Sequence, residues 1–219
     1  MDTVSIREAI AVALAHEART GELDYLLTQR VRRLHPAITV PGERPVEALL
    51  DFVERYAHHV ADYLDAMQAI SRTLGTEDMA DAVAYASSDF FCNPPALLSG
   101  HQGLNAVMNE AYLAHRLVEE INDYSMHHRG SLLLPMDMTR SNLIIHHLIG
   151  EPFANQLDEA VEFLAGEMTA EGEFDQRRRD EPGGSMSQWR DQLRSWPCLV
   201  DNLADELLLY AGWGRTPLH

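Results

Sequence analysis

The sequence predicts an all-α protein, an antiparallel helical bundle followed by an additional C-terminal helix. In nearly all of the chain before residue 170, apolar residues recur at steps of three and four, which places them on one face of a helix. No window alternates convincingly between apolar and polar residues, which is the pattern of a half-buried strand. Prolines and glycines fall between the periodic stretches, where they are expected to end helices.

The first periodic segment, residues 4–34, is predicted to be helical with a break near Gly21. It is expected to stop before Pro36, because a proline disfavours the helical conformation in the residue that precedes it. The stretch PAITVPGERP, residues 36–45, contains three prolines and is predicted to be a connector.

A second long helix is predicted from Val46 to about Leu74, with Gly75 as its C-terminal stop. Its apolar residues at helical spacing are Val46, Leu49, Val53, Ala57, Val60, Leu64 and Met67. A shorter helix is predicted at residues 77–91. The acidic stretch TEDMAD at its start suits the positive end of a helix dipole.

Three further helices complete the predicted bundle. Residues 103–128 form a long amphipathic stretch, and Thr139 or Ser141 is expected to cap the helix that follows. Pro152 interrupts that helix, and the helical period resumes over residues 153–168.

The chain is predicted to divide into a bundle, a linker and a tail. The bundle covers residues 1–169, and the charged, glycine-containing residues 170–187 form a linker or exposed loop. Residues 188–219 are predicted to add a helix whose apolar face covers the bundle or a second subunit. That face contains Trp189, Leu193, Trp196, Leu199, Leu203 and Leu207. A homodimer is therefore the expected assembly.

The net charge of the chain is −17, from 34 acidic and 17 basic residues. This charge disfavours binding to nucleic acid or to an anionic membrane, since both kinds of binding need basic residues to neutralise phosphates. The two cysteines cannot form a scaffold of disulfides, and the first residues show no signal-peptide pattern. No apolar run approaches the roughly 20 residues needed to span a bilayer. A cytoplasmic protein is expected.

Three carboxylate–imidazole pairs on three predicted helices suggest a functional site. In each pair the two residues are four positions apart and lean toward the apolar face, so that both side chains can reach one ion. The pairs are Glu54 with His58, His115 with Glu119, and His147 with Glu151. On the helical wheel His59 falls on the flank opposite Glu54 and His58, and His146 faces outward.

These pairs predict a metal site between facing helices, because a cation would remove the cost of burying carboxylates and imidazoles. Mixed nitrogen and oxygen donors suit iron or manganese, with zinc also possible. The leading functional hypothesis is a metal-binding bundle. Its more specific form is a di-iron or di-manganese oxidase or hydroxylase that acts on a small-molecule substrate. In that hypothesis Tyr112 lines the pocket as a catalytic proton or radical partner.

Two features of the sequence argue against this hypothesis. Gly150 and Pro152 flank Glu151, so Glu151 is expected to leave the helical register. The Glu-x-x-His spacing that di-iron carboxylate bundles use does not occur anywhere in the chain.

Two alternatives remain at this point. In the first, the protein is a metal-free helical interaction or regulatory protein whose histidines are structural. In the second, the acidic stretch EEIND, residues 119–123, holds Mg²⁺ for a diphosphate substrate. The second is disfavoured, because the basic groups that a diphosphate needs are sparse.

Overall fold

The computed structural model describes residues 3–40, 43–74, 77–129, 136 and 138–170. Within these residues the predicted fold class is confirmed: the helices pack against one another as an all-α bundle. The helices are α1 (Val4–Thr20), α2 (Glu22–Arg30), α3 (Pro45–Leu74), α4 (Glu77–Cys92), α5 (Gly103–Arg129), α6 (Thr139–Ile149) and α7 (Phe153–Ala170). Short 3-10 helices cover Val31–Arg33 and Ala96–Leu98.

Helix α5 is the centre of the bundle. It packs against α1, α3, α4, α6 and α7, and its contact with α7 is among the most extensive in the fold. Its residues Met108, Ala111, Ala114, Leu117 and Val118 are fully buried. A helix that is buried on several faces is a core helix, so polar side chains in the buried part of α5 meet protein rather than solvent.

The predicted break near Gly21 is confirmed, and it separates α1 from α2. Gly21 adopts the left-handed conformation (φ 62°), and its N–H donates to the carbonyl oxygen of Glu17 at 2.8 Å. The Glu17 carboxylate then accepts hydrogen bonds from the backbone N–H groups of Leu23 and Asp24, at 3.0 and 2.9 Å. One acidic side chain thus satisfies two of the N–H groups that a helix start leaves without intrahelical partners.

The junction between α6 and α7 is built on Gly150. Its φ of 86° and ψ of 145° are open essentially to glycine alone, and its N–H donates to the carbonyl oxygen of His146 at 2.8 Å. Helix α6 therefore ends at Ile149, and Glu151 lies outside both helices. The sequence argument that Glu151 leaves the helical register is confirmed.

The predicted cap of α6 is wrong. The N-cap position is Met138, which forms no side-chain cap, and Thr139 is the first residue of the helix. The Thr139 hydroxyl instead donates to Oε1 of Glu119 at 3.0 Å, and Ser141 is buried inside α6. The Thr139 hydroxyl reaches α5 because α6 packs directly against that helix.

The predicted linker and C-terminal helix, beyond Ala170, lie outside the described residues and stay predictions. Among the described helices, none combines the length and the apolar character needed to cross a membrane.

Candidate functional site

The first predicted pair, Glu54 and His58, is half-buried on α3. The neighbouring His59 is the one that enters the core, with 1% of its surface exposed. The helical wheel had assigned His59 to the flank opposite this pair, because only one apolar stripe was used to define the inside. Helix α3 packs against α1, α2, α4 and α5, so its buried surface is much wider than that stripe.

Inside the core, His59 on α3 meets His115 on α5. Nδ1 of His59 lies 3.0 Å from Nε2 of His115, and Nδ1 of His115 lies 2.8 Å from the carbonyl oxygen of Ala111. Because a carbonyl oxygen only accepts, the proton of His115 is on Nδ1 and its Nε2 accepts from His59. The hydrogen bond between the two rings joins the two helices.

Aromatic rings enclose this histidine pair. The rings of Tyr56 and Tyr63 lie 4.2 and 5.3 Å from that of His115, centroid to centroid. Burial, followed by the proximity of His59, holds the pKa of His115 well below its ordinary value. This pair is therefore a hydrogen-bonded part of the core in which His115 is neutral.

Glu119, the predicted partner of His115, points to a different set of residues. One of its oxygens, Oε2, accepts from Nη1 of Arg116 at 2.6 Å and from the amide nitrogen of Asn142 at 2.7 Å. The amide oxygen of Asn142 in turn accepts from the Tyr56 hydroxyl at 2.6 Å. The Glu119 carboxylate is thus stabilised by an arginine and by hydrogen bonds from α6.

Tyr112, the predicted catalytic residue, belongs to the same polar network. Its hydroxyl donates to Oδ1 of Asp158 on α7 at 2.7 Å, and Nε of Arg116 donates to the same oxygen at 3.0 Å. Burial, followed by the Asp158 contact, raises the pKa of Tyr112 beyond its ordinary range. Nε2 of His146 lies 3.4 Å from Oδ2 of Asp158, so this histidine turns toward α7 rather than outward.

The third predicted pair is separated by the end of α6. His147 is half-buried, and its Nε2 lies 3.2 Å from both the backbone nitrogen of His35 and the carbonyl oxygen of Arg33. Glu151 is exposed beyond Gly150. His147 therefore ties α6 to the segment that follows α2.

The metal-binding function predicted from these pairs is wrong. In the part of the chain that the structure describes, there is no group of three or more His, Cys, Asp or Glu side chains that could hold a metal ion. The physical reason is visible at Arg116, whose guanidinium contacts Glu119, Glu120 and Asp158 at 2.6, 2.5 and 3.0 Å. An arginine supplies the cation that the sequence argument had assigned to a metal. The residues that were expected to bind iron or manganese therefore do not come together as a ligand set.

A cavity of about 250 Å³ lies where α2, α5, α6 and α7 meet, on the same side of α5 as the Arg116 network. It is partly open to solvent. Its lining comprises Leu26, Arg30, His101, Asn105, Asn109, Leu148, Ile149, Gly150, Glu151 and Phe153. The cavity is thus surrounded by apolar side chains, by two asparagine amides, and by one basic and one acidic side chain.

Asn109 is the unusual residue of this lining. Only 1% of its surface is exposed, and neither its amide nitrogen nor its amide oxygen has a hydrogen-bond partner. A buried polar group without a partner costs about 1–3 kcal/mol, and an asparagine amide has two such ends. The fold tolerates this cost at a position that lines a cavity.

Arg30 is fixed at the edge of the cavity by the α6–α7 junction. Its Nη2 donates to the carbonyl oxygen of Ile149 at 2.8 Å, and a Cβ placed on Gly150 would lie 2.2 Å from Nη1. A Cβ at position 150 would therefore displace this guanidinium from its present place. The guanidinium has five N–H groups, so further donors stand beside the cavity.

One wall of the cavity includes a stacked pair of rings. The imidazole of His101 and the ring of Phe153 lie 4.7 Å apart, with an angle of 10° between their planes. This pair connects the loop before α5 to the first residue of α7. It provides a flat apolar surface next to the polar groups.

Sequence reasoning missed the cavity, although one signal was present. Asn105, Asn109, Tyr112 and Arg116 recur at steps of four, three and four, so they form a polar stripe along α5. Such a stripe is normally a solvent-facing surface. Here α6 and α7 cover it, and only the packing of those helices shows that the stripe is internal.

Comparisons of the chain with protein-family models, with curated proteins and with solved structures find no match. The functional argument therefore depends on the geometry of the described residues.

Proposed function

We propose that this protein binds a small polar molecule in the cavity between α2, α5, α6 and α7. The observation that carries the proposal is Asn109, a buried amide that lines the cavity with both of its ends lacking a partner. Both amide atoms are covered in the ligand-free structure, so binding requires the side chain to turn toward the cavity, where a ligand with one hydrogen-bond donor and one acceptor then satisfies both ends. The cost of burying Asn109 is then recovered when the ligand binds.

The composition of the lining supports this proposal. Ligand sites combine a mainly apolar surface with a few polar groups that fix orientation. Leu26, Leu148 and Phe153 supply the apolar surface here, while Arg30 and Asn109 supply the polar groups. Both polar side chains start from helices, and helices hold their side chains more precisely than loops do.

The size of the cavity limits the ligand. About 250 Å³ corresponds to the liquid volume of roughly eight water molecules. Pockets that enclose drug-sized molecules begin at about 300 Å³. The proposed ligand is therefore a small metabolite, and nucleotides and large cofactors are too big to be enclosed.

The proposal can be tested by ligand-observed NMR with a library of small polar metabolites that includes neutral, acidic and basic compounds. We expect some compounds to bind the wild-type protein and to compete with one another. In amide spectra of the labelled protein, they should shift the signals of Leu26, Gly150 and Phe153. Asn109→Leu, which has a similar volume, should weaken their binding.

The matched control for that experiment is Asn93→Leu. Asn93 is exposed, and its side chain is hydrogen-bonded to Asp89 at the end of α4. This variant should bind every compound as the wild type does. Compounds that bind equally well to the Asn109→Leu variant and shift none of the cavity signals would contradict the proposal, as would a library without any binder.

A ligand-binding role is compatible with the regulatory function that the sequence offered as an alternative to a metalloprotein. The homodimer expected from the C-terminal segment stays a prediction.

A further inference from the structure

We infer that the cavity takes a small α-amino acid in its zwitterionic form, with an aliphatic side chain of about the size of leucine. This inference rests on the proposed function and names its ligand class. The carboxylate would face Arg30, the ammonium group would face Glu151 and the oxygen of Asn109, and the side chain would pack on the apolar wall.

The charged residues of the cavity have opposite signs. Arg30 contributes a guanidinium that is held beside the cavity by the Ile149 carbonyl oxygen, and arginine is well suited to binding carboxylates. Glu151 contributes a carboxylate at the exposed edge. A ligand with only one charge would satisfy one of these residues and be repelled by the other.

The helix ends at the cavity fix the positions of these two charges. Arg30 donates to the carbonyl oxygen of Ile149 at the negative end of the α6 dipole, and Glu151 lies just before the positive end of α7. Each charge is therefore stabilised where it stands in the ligand-free protein.

Asn109 fits the same ligand. Whichever way the amide is turned, it presents one donor end and one acceptor end. A carboxylate oxygen can accept from the NH₂ group, and an ammonium group can donate to the oxygen. Once the covered amide turns toward the cavity, an amino acid therefore satisfies both unpartnered atoms of this side chain.

The overall charge of the protein disfavours the binding of simple acids more strongly than the binding of zwitterions. A net charge of −17 repels an anion at long range but exerts little net force on a molecule without net charge. The apolar part of the lining, from Leu26, Leu148 and Phe153, then matches an aliphatic side chain. An amino acid of about eight or nine non-hydrogen atoms fits a volume equal to roughly eight waters.

Three probes separate the contributions of the two charges. Leucine has both charged groups, 4-methylpentanoate is leucine without the ammonium group, and 3-methylbutylamine is leucine without the carboxylate. Titration calorimetry or chemical-shift titration with the wild-type protein should find leucine to be the tightest binder of the three. The gap should be roughly tenfold or more, as expected when one charge-assisted hydrogen bond is lost.

Two variants should then act on different probes. Arg30→Met keeps the length of the side chain and should weaken leucine and 4-methylpentanoate, with little effect on the amine. Glu151→Gln should weaken leucine and the amine, with little effect on the acid. Because Glu151 is exposed and outside both helices, that variant is not expected to disturb the fold.

The outcomes separate this inference from the proposed function. If 4-methylpentanoate or 3-methylbutylamine binds as tightly as leucine, the amino-acid inference is overturned, and a cavity that binds ligands remains. If none of the three probes binds at millimolar concentration, the inference is overturned as well. The metabolite library and the Asn109→Leu variant then decide separately whether the cavity binds anything.

Discussion

The imidazole planes of His59 and His115 are nearly parallel, 4° apart, and Nδ1 of the first lies 3.0 Å from Nε2 of the second. His115 also donates from Nδ1 to the carbonyl oxygen of Ala111, so its Nε2 serves as an acceptor. A proton added to that nitrogen would remove the hydrogen bond between α3 and α5. It would also place a charge among buried tyrosines.

This pair predicts that the protein loses stability in mild acid. The pKa of His115 is depressed in the folded state, first by burial and then by His59, whereas the unfolded chain takes up the proton near the ordinary value of 6.5. The unfolded state then binds more protons below that pH, so the free energy of unfolding falls as the pH decreases through 6.5 and lower. Urea denaturation at a series of pH values measures this slope.

Substitution shows whether the slope belongs to His115. Glutamine at position 115 keeps a donor and an acceptor but cannot titrate, so His115→Gln should have a flatter profile below pH 6.5. The control is His58→Gln, because His58 is half-buried on the same helix as His59. Equal slopes in the wild type and His115→Gln would refute the assignment.

The contribution of Glu110 to the free energy of unfolding is expected to have the opposite pH dependence. Burial raises its pKa from 4.5 to about 7, and only 6% of the residue is exposed. The folded state therefore binds more protons than the unfolded state between these values, and this contribution to stability is lost as the pH rises from 4.5 to about 7. Glu110→Gln, which stays neutral, should be more stable than the wild type above about pH 7.

A comparison of Glu110→Gln with the wild type shows whether this pH dependence belongs to Glu110. Well below pH 4.5, where the wild-type carboxyl is protonated in both states, Glu110→Gln and the wild type should have similar denaturation midpoints. An unchanged difference between them across the whole range would show that Glu110 does not titrate in this window.

Two buried asparagines on facing helices should respond to leucine substitution with opposite signs. Asn109 has no partner at either amide atom, whereas Asn142 donates to Glu119 and accepts from Tyr56. Asn109→Leu removes an unsatisfied amide and should raise the free energy of unfolding of the ligand-free protein. Asn142→Leu leaves two buried partners without their bonds and should lower it by about 1–3 kcal/mol.

Denaturation of both variants in the absence of added ligand provides the test. A stabilised Asn109→Leu variant that no longer binds ligand would identify Asn109 as a residue that costs stability and serves binding. If Asn109→Leu instead destabilises the protein as much as Asn142→Leu does, the amide of Asn109 has partners in solution and its proposed role is wrong.

The positions of the helices could be predicted from the sequence, because apolar periodicity and the stops at Gly21 and Gly150 are local signals. The identity of the inward histidine could not. His58 and His59 are adjacent, and the choice between them depends on which neighbours cover α3, so a wheel centred on one stripe gave the wrong residue. In the same way, Glu119 was correctly recognised as facing protein, but its cation is Arg116 on its own helix.

The cavity was beyond reach for a related reason. Its residues come from α2, α5, α6, α7 and the loop before α5, and they are separated by more than a hundred positions in the chain. Each of them has an ordinary local interpretation: Asn109 belongs to a polar stripe, Gly150 ends a helix, and Arg30 ends another. Only the packing of four helices brings these features together.

The two glycines that end helices are expected to differ in their tolerance of alanine. At Gly21, which has a φ of 62°, an added Cβ meets no atom within 4 Å, so Gly21→Ala should cost only the left-handed backbone, roughly 1–2 kcal/mol. At Gly150, a Cβ would collide with the guanidinium of Arg30, and the backbone conformation is less accessible to alanine. Gly150→Ala should therefore have the lower melting temperature and should weaken ligand binding. Equal melting temperatures and unchanged binding would show that Arg30 is not held against Gly150.

Two arginines each contact more than one carboxylate, and replacing them should lower the free energy of unfolding by different amounts because they differ in burial. The Arg116 side chain is 17% exposed between Glu119, Glu120 and Asp158, so Arg116→Met leaves carboxylates inside the bundle without their cation. Removing one partner of a buried ion pair typically costs about 3–5 kcal/mol. Arg7, which contacts Asp62 and Asp65, has a side chain that is 41% exposed, and Arg7→Met should cost less than about 1 kcal/mol because water screens the acids.

Urea denaturation of the two variants at low and high salt completes this comparison. The effect of Arg7→Met should shrink further in high salt, whereas that of Arg116→Met should persist, because buried charges are screened much less than exposed ones. If Arg116→Met is no more damaging than Arg7→Met, the carboxylates around Arg116 are neutralised by another cation. That result would reopen the question of what lies between α5 and α7.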